Sequence, residues 1–522
     1  MGSREQQRLE PIDQQMSNYR YCHGYGTGVP IDRQTSIYRY RMRTPLIGRI
    51  TELNQLAKQR GKGAASLVVL SGRRRIGKSS LVQEYGRSFA KFCQFQGLAP
   101  RPGIRMQDQL NAFADQFDTT FSAKKSHFKN WFDALKALAK EVQKGDVLVL
   151  LDELSWLATA DPDFAGKLKI LWDTEFKKNP RLVMVLCGSV STWIERNVLS
   201  DSGFVGRISL VIRLGELPLS VVGKFWGNRS GRVSNFEKLR FLAVAGGVPK
   251  YLEELKPTDS TDSNIKRLCF TSGGYLFEDF NRIFSDIFGK RSEAYRRIVE
   301  LLVVRRLTAQ EIGQKLGSGL SRQLSEYLWD LTMSGFIQRD TRSKLDRPDS
   351  QRGSQYRVAD NYLRFYLRYV HKNRSAIEAG LFSFAHLDGL IGWDSLLGLQ
   401  FENLILNRLP EVITALELSN ERINFAGPIR QSKTVRQEGV EIDLLLACRS
   451  NTYYLCEIKF RRYIDEYVIR EVAEKITRLK LPKRASVRPV LIYAGDLDPA
   501  IGAADYFDKI LNVERLLEGE QR

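Results

Sequence analysis

Short, wholly apolar runs punctuate the first part of the chain, with polar or amphipathic stretches between them. Ser66-Leu-Val-Val-Leu-Ser71, Val147-Leu-Val-Leu-Leu151 and Leu182-Val-Met-Val-Leu-Cys187 each have the length of one strand and no polar alternation. A strand apolar on both faces is buried on both, so these runs predict a parallel sheet with helices on its two sides. Helix-period stretches such as Phe128–Val142 fill the intervals. From about residue 216 the pattern is helical through Ser220–Leu255, and the Thr/Ser/Asp-rich segment 256–264 reads as a loop. Residues 286–360 predict short helices, then a charged, turn-rich segment ending in Tyr356-Arg-Val358. Residues 361–409 read as helical, and the remainder as strands with a final helix. No internal repeat or low-complexity tract is present.

The 522 residues exceed one ordinary core and predict three or four units. With 43% hydrophobic and 27% charged residues the composition is globular, and no run of about 18 apolar residues predicts a membrane span. Six cysteines lie scattered without a CxxC pair, against a disulfide scaffold or zinc ribbon and in favour of a reducing, cytoplasmic compartment. Cys187 and Cys456 fall inside apolar runs and read as small buried hydrophobes. Eighty basic against 60 acidic residues leave a net charge of +20, which points to a polyanionic partner, with a merely solvated basic surface as the alternative.

One motif carries specific chemistry. Gly72-Arg73-Arg74-Arg75-Ile76-Gly77-Lys78-Ser79 fits GxxxxGK[ST] in full, follows a predicted strand and precedes the helical run from Ser80. Its backbone N–H groups would wrap a β-phosphate at a helix N-terminus. Lys78 would bridge β- and γ-phosphates, and the Ser79 hydroxyl would ligate Mg²⁺. Asp152, ending the next apolar strand, would hold Mg²⁺ through water, and Glu153 would polarise the attacking water. Alternatively the two acids only cap the helix that follows. Ser189, after the third strand, would face the γ-phosphate or serve as an N-cap.

With these elements, Leu46-Ile-Gly48-Arg49-Ile-Thr-Glu52-Leu53, Gly206-Arg207 and Gly246-Gly247-Val-Pro249-Lys-Tyr-Leu complete a pattern over roughly residues 45–285. It resembles the archaeal-type ATPases, relatives of the origin-recognition and signal-transduction branches of the AAA+ class. The resemblance implies ATP as cofactor, with Gly48, Arg49 and Pro249 against adenine and ribose. It also implies a nucleotide-sensing Arg207, in cis or across a subunit interface; the sequence leaves a homo-oligomer open.

Leu307–Leu316 reads as a short helix with a capping box, Thr308 and Glu311. A second helix from Ser321 to Ser334 and two strands, Gly335–Arg339 and Gln355–Val358, complete a winged helix-turn-helix. Residues 286–374 hold 18 Lys/Arg and 10 Asp/Glu, so Ser321, Arg322 and Gln323 are candidates for DNA contact. The alternative is a lid that docks protein.

Near the C-terminus, Val440-Glu441-Ile-Asp443-Leu444 and Tyr453-Tyr-Leu-Cys-Glu457-Ile-Lys459-Phe460 predict a hairpin with charge on one face. Ile442, Leu444, Ile458 and Phe460 would lie on the other. Three acids and a lysine at this apolar hairpin favour a divalent cation among them. Asp443 and Glu457 would ligate Mg²⁺ or Mn²⁺, and Lys459 would orient the metal-activated water. The spacing resembles the PD-(D/E)XK nuclease signature and, over 361–522, the domain of unknown function that follows archaeal-type ATPases; this places Glu402 as a third acidic ligand. The alternative is an inactive fold whose acids pair with Lys459 and nearby arginines.

The expected architecture is therefore α/β: an extension (1–44), a P-loop parallel-sheet ATPase core (45–215), a helical lid (216–285), a winged helix (286–360) and a restriction-endonuclease-like α/β domain (361–522). The expected function is ATP hydrolysis with DNA binding and metal-dependent, nucleotide-regulated DNA cleavage. A nucleotide switch or DNA-binding regulator with a silent nuclease fold is the competing reading.

Overall fold

The three apolar runs form the centre of a five-stranded parallel sheet. A computed structural model describes residues 46–518 other than 100, 102, 189–190, 289–290, 318, 341–353, 385 and 436. The strands β1 (Ser66–Ser71), β2 (Lys91–Gln96), β3 (Val147–Asp152), β4 (Leu182–Gly188) and β5 (Ile208–Arg213) lie in the order β2-β3-β4-β1-β5. Alternate residues enter two separate cores. Val68, Leu70, Leu148 and Val185 pack with Leu81 and Tyr85 of the helix Lys78–Gly86. Val69, Val149, Leu151 and Leu186 pack with the helices Met106–Phe121, Trp131–Glu141 and Phe164–Thr174. The two edge strands carry mixed polar and apolar residues, so the apolar-run criterion misses them.

Most of the second half shares one core, and a second, smaller cluster lies between the C-terminal sheet and the helix Tyr467–Arg478. Apolar residues of the helices Asn235–Ala245, Ser292–Val304, Arg322–Met333 and Trp393–Leu406 join those of the C-terminal sheet in a single cluster running from Leu217 to Leu517. The segment read as a loop becomes helical at Thr261, because Ser260 accepts the Ser263 N–H and caps the helix Thr261–Cys269. The winged helix is present. β6 (Leu307–Thr308), β7 (Ile337–Asp340) and β8 (Gln355–Val358) pair antiparallel in the order β6-β8-β7, and Thr308 and Glu311 form the capping box. Residues 341–353 of the wing lie outside the described residues.

The C-terminal sheet has the order β13-β12-β11-β10-β9, comprising β9 (Ile423–Gln431), β10 (Val440–Cys448), β11 (Thr452–Ile464), β12 (Ser486–Leu497) and β13 (Lys509–Asn512). β9, β10 and β11 are antiparallel neighbours; β11, β12 and β13 are parallel. The helical turn Val513–Glu518 follows β13, as expected of the last element, and a longer helix, Tyr467–Arg478, lies between β11 and β12. Among the described residues, no helix is long and apolar enough to cross a membrane.

Gly495 bends β12 where β11 bulges after Phe460. Its φ is +113°, and a Cβ there would overlap the Arg461 carbonyl oxygen and crowd that of Arg462. Gly495→Ala should destabilise the fold by roughly 2 kcal/mol or more; an unchanged midpoint in thermal unfolding would show that β12 relaxes freely.

Candidate functional site

Gly72 follows β1 at the carboxyl edge of the parallel sheet, and the loop turns into the helix Lys78–Gly86. Left-handed backbone at Arg75 (φ 68°) and Gly77 (φ 88°) shapes it, and two neighbouring non-glycine residues, Arg49 (φ 64°) and Glu153 (φ 49°), share that unfavourable region. Because β4 lies between β1 and β3, Asp152 comes level with the loop from two strands away. There its carboxylate accepts the Ser79 hydroxyl at 2.6 Å and the Glu153 N–H at 3.0 Å. Neither acid caps the helix Leu154–Leu157 with its side chain. Both donors are hard oxygens suited to Mg²⁺. Lys78 donates to the Gly72 and Arg73 carbonyls at 2.9 and 3.0 Å, which holds its ammonium inside the loop.

The flanking elements brace the loop. Arg49 is buried and donates to the Ile76 and Gly215 carbonyls at 3.1 and 2.6 Å and to Glu52 at 3.0 Å, so its guanidinium braces the loop's backbone. Gly48 lies against Leu217 and Val221, and Pro249 borders Gly77. Ser80 sits in the first turn of the helix. Ser189 lies outside the described residues. Arg207 stands just before β5, where Ile208 pairs with Leu67 at the start of β1. It is thus at the opposite edge of the sheet from Gly72 and pairs with Asp173 at 2.9 Å, away from the loop of its own chain.

The three loop arginines leave the sheet. Arg74 lies over the Trp156 ring, and the Glu153 carboxylate attracts it. Arg75 pairs with the buried Asp279 of the lid helix Tyr275–Phe288 and lies over the Tyr275 ring. Arg73 pairs with Asp360, the N-cap of the helix Asn361–Phe365, at 2.5 Å and with Glu216 at 3.4 Å. Glu216 also accepts the Gly247 N–H at 2.8 Å and pairs with Arg408 at 2.9 Å. Single charged residues far apart in sequence offered no motif by which to find Asp279, Asp360, Glu216 and Arg408.

In the C-terminal sheet β10 and β11 pair only from Leu444 opposite Cys456 to Ala447 opposite Tyr453, then part. At the fork Asp443 accepts the Ile458 N–H at 2.9 Å. A bulge in β10 changes the expected faces: Ile442 joins the cluster under the helix Tyr467–Arg478, whereas Leu444, Ile458 and Phe460 face the other core. Glu441 is exposed and paired with Arg430, outside the cluster. Glu457 is buried between Lys459 at 2.9 Å and Lys475 at 2.5 Å, and Lys459 also holds Glu471 at 2.5 Å. Glu471 and Lys475 lie one turn apart on the helix, a spacing visible in sequence but not tied there to the hairpin. Glu402, on the helix Trp393–Leu406, pairs with Arg306 at the entrance to β6. Among the described residues no three His, Cys, Asp or Glu side chains converge to hold a metal.

A parallel sheet in this strand order, with Gly72–Ser79 at its carboxyl edge, is a P-loop ATPase core. No family model matches the chain. It is 25% identical over 377 residues to the uncharacterized protein MJECL04 of Methanocaldococcus jannaschii, covering 70% of this chain and 77% of that one. Solved structures it resembles include the Walker-type ATPase PABY2304 of Pyrococcus abyssi (18% identity, TM-score 0.47, 62% of this chain and 96% of that one). Others are Cdc6p of Pyrobaculum aerophilum (16%, 0.30, 67% and 99%) and RuvB of Thermotoga maritima (16%, 0.31, 57% and 90%).

Burial raises the Asp443 carboxyl from its ordinary value near 3.8 to about 7, with Glu457 and Glu402 adding to the shift and Lys475 opposing it. The folded chain therefore keeps a proton that the unfolded chain loses above about pH 4, and the stabilisation from Asp443 declines as pH rises from about 4 to 7. Asp443→Asn lacks that decline. Its thermal midpoint should rise relative to wild type between pH 5 and pH 8; a constant difference across that range would show an ordinary carboxylate.

Proposed function

We propose that the chain binds and hydrolyses ATP at the Gly72–Ser79 loop. The observation that carries this reading is the Ser79–Asp152 contact beside Lys78, which gathers a phosphate cradle and two cation ligands at one sheet edge. The bound nucleotide with Mg²⁺ supplies the phosphoanhydride and the charge-neutralising cation. Lys78 draws phosphate oxygens into the loop, Ser79 and Asp152 hold the cation, and Glu153 takes the proton of the attacking water. Arg207 serves a neighbouring copy in a homo-oligomer, since within its own chain it faces Asp173.

The proposal extends to an archaeal-type ATPase organised with the limits 45–215, 216–285, 286–360 and 361–522, acting on DNA in the cytoplasm. Arg322, 94% exposed at the start of the helix Arg322–Met333, supports nucleic-acid contact there. Asp443, Glu457 and Lys459 then form a metal-dependent phosphodiester-cleaving site using Mg²⁺ or Mn²⁺, with Glu402 as the third acid. The switch-scaffold reading has its own support, the ion pairs that already neutralise Glu402 and Glu457.

Lys78→Ala and Asp152→Asn should abolish ATP hydrolysis, and Glu153→Gln should keep ATP binding while lowering turnover by about 100-fold or more. Wild-type turnover in Glu153→Gln would remove it as the base. With Mn²⁺, wild type should cleave DNA and Asp443→Ala and Lys459→Ala should not. Intact ATPase activity with no cleavage by wild type would favour the scaffold.

A further inference from the structure

We infer that Arg306 is the built-in counter-cation of the C-terminal carboxylate site, keeping a divalent metal out until the winged helix moves. This rests on the reading of Asp443, Glu457 and Glu402 as metal ligands. The winged-helix side chain pairs with Glu402, lies 3.8 Å from Asp340 and is attracted by Asp443. Of the other positive groups near these acids, Lys459 and Lys475 are committed to Glu457 and Glu471, while Arg357, paired with Asp340, and Arg364 attract Glu402 without pairing with it.

The ion pairs explain why the acids stay apart: Glu402 is held by Arg306, and Glu457 and Glu471 are held by Lys459 and Lys475. Asp443 is the member without an ion pair among the described residues; it spends one oxygen on the Ile458 N–H. A guanidinium satisfies Glu402 electrostatically as a metal would, but draws it toward β6 and repels an incoming dication. Removing Arg306 takes from Glu402 its direct ion pair and leaves it beside Asp443, which has none among the described residues, an oxygen-rich pair of the kind that Mg²⁺ and Mn²⁺ bind.

The same contact makes metal entry depend on the winged helix. Arg306 follows directly from the helix Ser292–Val304 and Arg305, and the unit is fastened to the ATPase core by Arg196, which pairs with Asp330 at 2.9 Å and lies over the Trp329 ring. Whatever draws that unit away also draws the guanidinium off Glu402.

The test is Mn²⁺ binding to the full chain without nucleotide, followed by electron paramagnetic resonance and calorimetry. Arg306→Gln should bind Mn²⁺ about tenfold or more tightly than wild type, Arg306→Lys should bind as wild type does, and adding Asp443→Asn to Arg306→Gln should abolish the gain. Circular dichroism confirms that each variant folds. Equal, Asp443-dependent affinity in wild type and Arg306→Gln would overturn the role of Arg306 while leaving the metal site standing. Absence of Asp443-dependent binding even in Arg306→Gln would overturn the metal reading and this inference with it.

Discussion

One arginine of the phosphate loop joins the ATPase core to acids of the second half of the molecule. Arg73 leaves the loop and places its guanidinium between Asp360 and Glu216. Burial of these groups without partners would cost several kcal/mol per charge. Here burial pushes the Asp360 carboxyl up while Arg73 pulls it down, so the aspartate depends on the loop for its charge. Glu216 passes the connection to Arg408, and Glu411 on the adjoining helix accepts the Leu219 and Ser220 N–H groups at 3.0 Å. A loop residue set by the phosphate motif thus also sets where the C-terminal half docks.

From Asp360 the chain leads back to a second run of charged contacts. Three residues back, on β8, Arg357 pairs with Asp340 at 3.1 Å; Asp340 lies 3.8 Å from Arg306, and Arg306 holds Glu402. Phosphate loop, winged helix and C-terminal carboxylates therefore share one polar seam. A cavity of about 690 Å³ opens along it, lined by Gly72, Arg73, Asp340, Arg357 and Arg408 among others. Contiguity of this kind lets a change at one end reach the other only through an element with two stable positions. The winged helix shares the apolar core of the second half, and its contacts at Asp330, Asp340 and Arg306 add ion pairs that can exchange partners.

Local pattern revealed the parts whose chemistry is written in adjacent residues. The apolar runs of β1, β3 and β4, the Gly72–Ser79 loop, the Thr308–Glu311 box and the Glu457–Lys459 strand are all short-range signals. The edge strands β2 and β5 escaped because half-exposed strands mix polar with apolar residues. The β10 bulge escaped because one inserted residue flips the following faces without altering composition. The partners of the candidate acids were illegible for a different reason: Arg306 and Lys475 lie 96 residues before Glu402 and 18 after Glu457, and nothing in either neighbourhood marks them.

The two ends of the helix Arg322–Met333 are engaged differently. Its C-terminal half is a docking surface within the chain, where Trp329 and Asp330 meet Arg196, and Tyr295 donates to Asp330 at 2.5 Å. Its N-terminal end is open: Ser321 is spent capping the Leu324 N–H, Gln323 on the Tyr327 hydroxyl, and Arg322 holds only an exposed pair with Glu326 at 3.2 Å. An exposed pair of that kind is worth little and is readily exchanged for a phosphate. A polyanion at Arg322 would therefore compete with solvent rather than with the core. The helix that would receive it is the one tied to the ATPase core through the Arg196–Asp330 pair.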